Sequence, residues 1–146
     1  MLDDDRAKRI VIHYLGKQLE NQNGSLAGFV VMPDHVHAMV SFTEPGMLSV
    51  FMSQWKRRSS MGLKNHFQKQ MAGYTSHIDL DGAMWQPKYY VFHIHSEAKA
   101  VEKLSYMHNN PVRKGLVTHA GDWAFGSASW YVAGKPVGVP ITPFGA

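Results

Sequence analysis

The sequence predicts an α+β domain in which helices pack on one face of an antiparallel sheet. Three observations lead there. Residues 3–22 repeat apolar side chains at helical spacing, at Ile10, Val11, Tyr14, Leu15 and Leu19. Residues 25–42 hold two β-forming runs separated at Pro33-Asp34. Residues 88–95 form an aromatic and β-branched run that ends at Ser96, an N-cap residue type. The resulting order of helix, strand, strand, helix, strand, helix is that of an α+β sandwich.

Each element has a local reason. Asp3 to Asp5 place negative charge where the first helix begins, and Asn21-Gln22-Asn23-Gly24 supplies turn chemistry where it ends. The two runs from Ser25 to Met32 and His35 to Phe42 read as an antiparallel pair around a tight turn, or as strands meeting at a corner. A second helix over 47–60 carries Leu48, Phe51, Met52 and Trp55 on one face, and 61–71 adds a further turn or two. Residues 72–88 read as a loop containing Trp85-Gln86. In the strand Lys88 to His95, Tyr89, Val91, His93 and His95 share one face, and Tyr90, Phe92 and Ile94 the other. A third helix runs from Glu97 to about Asn109, with Val101, Leu104 and His108 on its buried face, and Asn110-Pro111 stops or bends it. Residues 1–132 are expected to form the functional domain and 133–146, with Pro136, Pro140 and Pro143, an extended tail.

Composition narrows the function classes. A hydrophobic share of 45% with 18% charged residues describes a globular chain. No apolar run reaches the roughly 18 residues of a membrane span. The acidic start lacks the basic and apolar segments of a signal peptide, so a cytoplasmic location is expected. The absence of cysteine excludes disulfides and thiolate metal sites. A net charge of +4 permits a polyanionic partner without demanding one.

The stretch Met32-Pro33-Asp34-His35-Val36-His37 carries the chemistry. On a strand, His35 and His37 project from the same face, a good arrangement for a divalent metal. The third helix offers Tyr106 and Asn110, one turn apart on one face: a nucleophile and a hard oxygen ligand. Two imidazoles and an amide oxygen leave positions open for phosphate oxygens, which suits Mg²⁺ or Mn²⁺ acting on a phosphodiester. The residues alone leave plainer readings open, because a single helical Tyr is more often core or surface. Lys56, Arg57, Arg58 and Lys64 are either a solvated, dipole-favoured helix end or phosphate contacts, a reading shared by Arg113 and Lys114. Trp55, Trp85 and Tyr89 are either core or stacking platforms for unpaired bases, with Trp55 favouring core.

The histidine stretch, followed by Tyr106-Met107-His108-Asn109-Asn110-Pro111-Val112-Arg113-Lys114-Gly115-Leu116-Val117, resembles the single-tyrosine (insertion-sequence-200-like) transposases of the His-hydrophobic-His superfamily. The similarity is strongest to the REP-associated branch. Trp85-Gln86, Trp123, Ser127 and Tyr131 match the same pattern, and the resemblance covers roughly residues 3–131. It implies a ferredoxin-like sheet, a metal held by His35, His37 and Asn110, and attack by Tyr106 on single-stranded or hairpin DNA. The products would be a 5′-phosphotyrosine and a free 3′-hydroxyl, with no organic cofactor. A homodimer is compatible with it.

Family members begin with one more strand, whereas this chain starts close to the first helix. The first, central strand is therefore expected to be missing, or supplied by a partner chain or the C-terminal tail. A hairpin DNA- or RNA-binding protein of the same fold, catalytically impaired, is the alternative expectation.

Overall fold

The computed structural model describes residues 2–70, 87–93 and 96–145. Helix α1 spans Asp5–Asn21, β1 Ser25–Val31, β2 His35–Ser41, α2 Met47–Gln70, β3 Lys88–His93, α3 Glu97–Arg113 and α4 Ala128–Ala133, with a 3₁₀ turn at Ala120–Asp122 before α4. The Asp4 carboxylate accepts from the Arg6 amide and caps α1. Asn23, at φ 52°, closes its other end with bonds from Gly24 N–H to Leu19 O and from Asn23 N–H to Glu20 O.

The class is α+β as expected, with two differences in the sheet. Strand β1 pairs antiparallel with β2, but β3 pairs parallel with β2, so the sheet is mixed in the order β1-β2-β3. A long crossover through α2 returns the chain in the same direction as β2. In a split β-α-β arrangement another strand would lie between β2 and β3; here β3 closes directly onto β2. Leu2, fully buried, donates its amide to Pro33 O at the mouth of the β1–β2 turn.

The second difference is that helices cover both faces of the sheet, not one. Leu26, Phe29, Val31, Val36, Ala38, Val40, Tyr89 and Val91 pack with α1 and α2 in the main core. Ala27, Val30, Met32, Met39 and Phe92 pack on the opposite face with Ala100, Leu104 and Met107 of α3. Both sides of β1 are therefore apolar, as a sheet covered on two faces requires.

Helix α2 is one continuous element, with Phe51, Trp55, Ser59 and Leu63 buried at every fourth position. Gly62 lets α1 approach closely, since a Cβ there would sit 2.7 Å from the Tyr14 ring. Helix α3 runs through Pro111 to Arg113, beyond the expected stop. A proline near a C-terminus removes only one late hydrogen bond, and Gly115, at φ 73°, closes the helix after it. Val101, expected inside, is 62% exposed; Ala100 and Met107 are buried in its place.

The free edge of β1 is satisfied by the C-terminal segment. Thr142 N–H bonds Leu26 O, the Tyr131 hydroxyl bonds Ala27 O at 2.5 Å, Ser127 N–H bonds Phe29 O, and Trp123 Nε1 bonds Val31 O. Val137 and Val139 are buried in the main core, so the C-terminal segment is packed down as well as extended. No described helix is long and apolar enough to cross a membrane.

Candidate active site

The site forms where β2 faces α3. The period of two along β2 directs His35 and His37 away from Val36, Ala38 and Val40 and towards α3. Gly28 allows the helix to lie close: a Cβ there would fall 2.2 Å from Leu104 Cδ1. The two imidazoles stand edge to face with ring centroids 4.9 Å apart. Tyr90 of β3 stacks on His37 at 5.0 Å and flanks His35 at 5.9 Å.

Helix α3 brings Asn110 to His35, with the side-chain amide nitrogen 3.1 Å from Nε2. Asn110 is only 5% exposed, so this polar side chain is committed to the site. Tyr106, one turn earlier, meets His37 edge to face at 6.5 Å and is 58% exposed. The four residues singled out in the sequence, His35, His37, Tyr106 and Asn110, thus converge.

Asp34 is a member of the site that the sequence reading treated only as a turn residue. Its Oδ1 lies 2.6 Å from His35 Nδ1. That contact protonates Nδ1 and leaves the Nε2 lone pair facing Asn110, the arrangement carboxylates impose on metal-binding histidines. The bond to His35 holds the Asp34 carboxyl below its ordinary pKa, with a smaller contribution from nearby Lys114. His37 is lowered to about 4, first by burial and then by the charges of His35 and Arg113. It is neutral near pH 7, as a ligand must be, and its buried Nδ1 has no hydrogen-bond partner among the described residues.

Among the described residues no group of three His, Cys, Asp or Glu could hold a metal. A metal here would have two imidazoles and the Asn110 amide oxygen as its protein donors. With the Nε2 lone pair of His35 facing the Asn110 amide, His37 neutral and that amide able to turn its oxygen inward, the donor set fits a hard divalent ion that keeps open positions.

The basic residues divide between the two sides of the sheet. Arg113 and Lys114 lie at the site. Lys56, Arg57, Arg58 and Lys64 lie on α2, which packs on the opposite face; Lys56 Nζ sits 5.8 Å from the Tyr89 ring and Arg57 bonds Gln54. Trp55 is fully buried, donating to Val11 O, and Tyr89 is buried against Ser59, which removes both from any stacking role. Trp85 and His95 lie outside the described residues.

Next to the site, Ser127 and His108 form a buried polar clip. The Ser127 hydroxyl accepts from Phe29 N–H at 3.0 Å, donates to Phe29 O at 3.2 Å and meets His108 Nε2 at 2.7 Å. One donor and two acceptors use the hydroxyl fully when Nε2 of His108 carries its proton. Burial lowers the His108 pKa to about 4. His108 is thus a packing residue, as its place on the buried face of the helix predicts.

The family model described as "Transposase IS200 like" matches residues 1–110. A REP-associated tyrosine transposase of Escherichia coli (strain K12) is 25% identical over 118 residues, covering 77% of this chain and 59% of that protein. The chain thus spans somewhat over half the length of that curated relative. No solved structure matches. On the extent of the family match, this chain belongs to the IS200-like transposase family.

Proposed function

We infer that the protein is a metal-dependent enzyme of DNA transposition that cleaves and rejoins single-stranded DNA through Tyr106, at hairpin-forming repeats. The observation that carries this reading is the convergence of Tyr106 with His35, His37 and Asn110 beneath an exposed phenol. Similarity to a protein named a REP-associated tyrosine transposase supports the reading.

The step balances without an external energy source. The Tyr106 oxygen attacks the scissile phosphorus and gives up its proton to solvent. The P–O3′ bond breaks, and the departing 3′-oxygen takes a proton to become a hydroxyl. The new tyrosine–phosphate ester retains the energy of the broken bond, so a 3′-hydroxyl can reverse the exchange. His35, His37 and Asn110 would hold Mg²⁺ or Mn²⁺, which supplies Lewis-acid chemistry at a phosphate oxygen. Asp34 fixes the His35 tautomer for that role. Lys114 offers a cation to the DNA backbone beside the site, and Lys56, Arg57, Arg58 and Lys64 offer others on the far side.

The test is to incubate a labelled single-stranded hairpin with the protein and Mn²⁺ and look for a denaturation-resistant protein–DNA band. Tyr106→Phe should abolish the band while leaving DNA binding largely intact. Replacing His35 and His37 with Ala should remove both activity and metal dependence. An adduct that survives in the Phe variant would overturn the assignment. Salt-sensitive binding with no adduct in the unaltered protein would show a hairpin-binding module instead.

A further inference from the structure

Arg113 stands two turns beyond Tyr106 on the same face of α3. A basic residue at the rim of a DNA-processing site is ordinarily free to meet a phosphate. Here the guanidinium is engaged by the nucleophile's own residue. Its Cζ lies 4.0 Å from the centroid of the Tyr106 ring, and its Nη2 donates to Tyr106 O at 2.8 Å. We propose that Arg113 is a positioning residue that clamps the Tyr106 phenol over the His35–His37–Asn110 cluster, and that it is not a DNA-backbone contact. The inference rests on Tyr106 being the attacking group.

Tyr106 needs such a clamp. It is 58% exposed, and among the described residues His37 meets its ring only edge-on. An exposed aromatic side chain samples its rotamers freely in water. A nucleophile must instead be held at near-attack distance, where an error of 1 Å costs about a hundredfold in rate. The planar arginine fork lies flat on a ring and donates from its edge to a carbonyl, a geometry that the compact lysine ammonium does not reproduce. The clamp also explains a use for helix beyond Pro111. Because α3 continues to Arg113 and Gly115 closes it afterwards, the guanidinium is fixed in register with Tyr106.

The test compares the unaltered chain with Arg113→Gln and Arg113→Lys, using the labelled hairpin and Mn²⁺. Three quantities are read: the single-turnover adduct rate at saturating DNA, DNA affinity across a salt series, and ¹³C relaxation of the Tyr106 ring in protein free of DNA and metal. Arg113→Gln should slow the saturated rate about tenfold to a hundredfold, leave affinity within about twofold, and loosen the ring. Arg113→Lys should recover little of the rate. Weakened binding with a salt slope reduced by about one, and an unchanged saturated rate, would make Arg113 a phosphate contact and overturn the proposal. The ring measurement needs no turnover. An unaltered protein that forms no adduct therefore overturns only the reading of Tyr106, whereas a ring equally ordered in Arg113→Gln overturns the clamp.

Discussion

The Asn110 side chain lies 3.1 Å from His35 Nε2 across 75 residues of chain, and Asp34 holds the far side of the same imidazole at 2.6 Å. His35 is thus oriented from both ring nitrogens. Asp34→Asn should weaken Mn²⁺ binding about tenfold to a hundredfold, the usual cost of losing an outer partner of a metal ligand. Calorimetric titration checks this. Asn110→Ala should weaken binding too, and an unchanged affinity in both variants would remove the metal assignment.

Ser127→Ala should destabilise the fold by about 1–3 kcal/mol, because Phe29 N–H and His108 Nε2 lose their shared partner inside the protein. Urea denaturation measures the loss. A cost near zero would mean that water replaces the hydroxyl.

Gly28→Ala should be destabilising by about 1–3 kcal/mol, since the new methyl would overlap Leu104 Cδ1 and crowd Ser127 Oγ, forcing the Leu104 side chain to repack. Leu104→Ala in the same chain should recover part of that loss. A double-mutant cycle reads the coupling, and purely additive costs would show that the helix does not bear on this glycine.

Stability should fall as pH drops from 6.5 towards 4. Burial holds the folded His108 pKa at about 4 against an ordinary value of 6.5. The unfolded chain therefore takes up the proton first, and the stability that is fully present above 6.5 is lost until pH reaches about 4. His37 acts in the same direction in metal-free protein. The urea midpoint followed against pH should be flatter in His108→Gln, and an identical slope in both proteins would show that His108 is not the group responsible.

Local sequence was enough to assign faces. The period of two along His35-Val36-His37 put both imidazoles on one side of a strand, and the helical spacing of Tyr106 and Asn110 put them on one side of a helix. Both statements depend only on backbone geometry, which neighbouring residues set. Trp55 was legible as core for the same reason, lying on an apolar helical stripe.

What the sequence could not carry was which faces meet. Packing α3 on the side of the sheet away from α1 and α2 brought Asn110 to His35, and the same arrangement left Lys56, Arg57, Arg58 and Lys64 on the far side. The parallel pairing of β3 with β2 and the use of Trp123, Ser127 and Tyr131 to close the β1 edge were likewise decided by the tertiary structure. Each depends on contacts between distant segments whose register and side are fixed only when the core closes. Residue type and spacing determined what each segment could present, and the packing of the two cores determined what it was presented to.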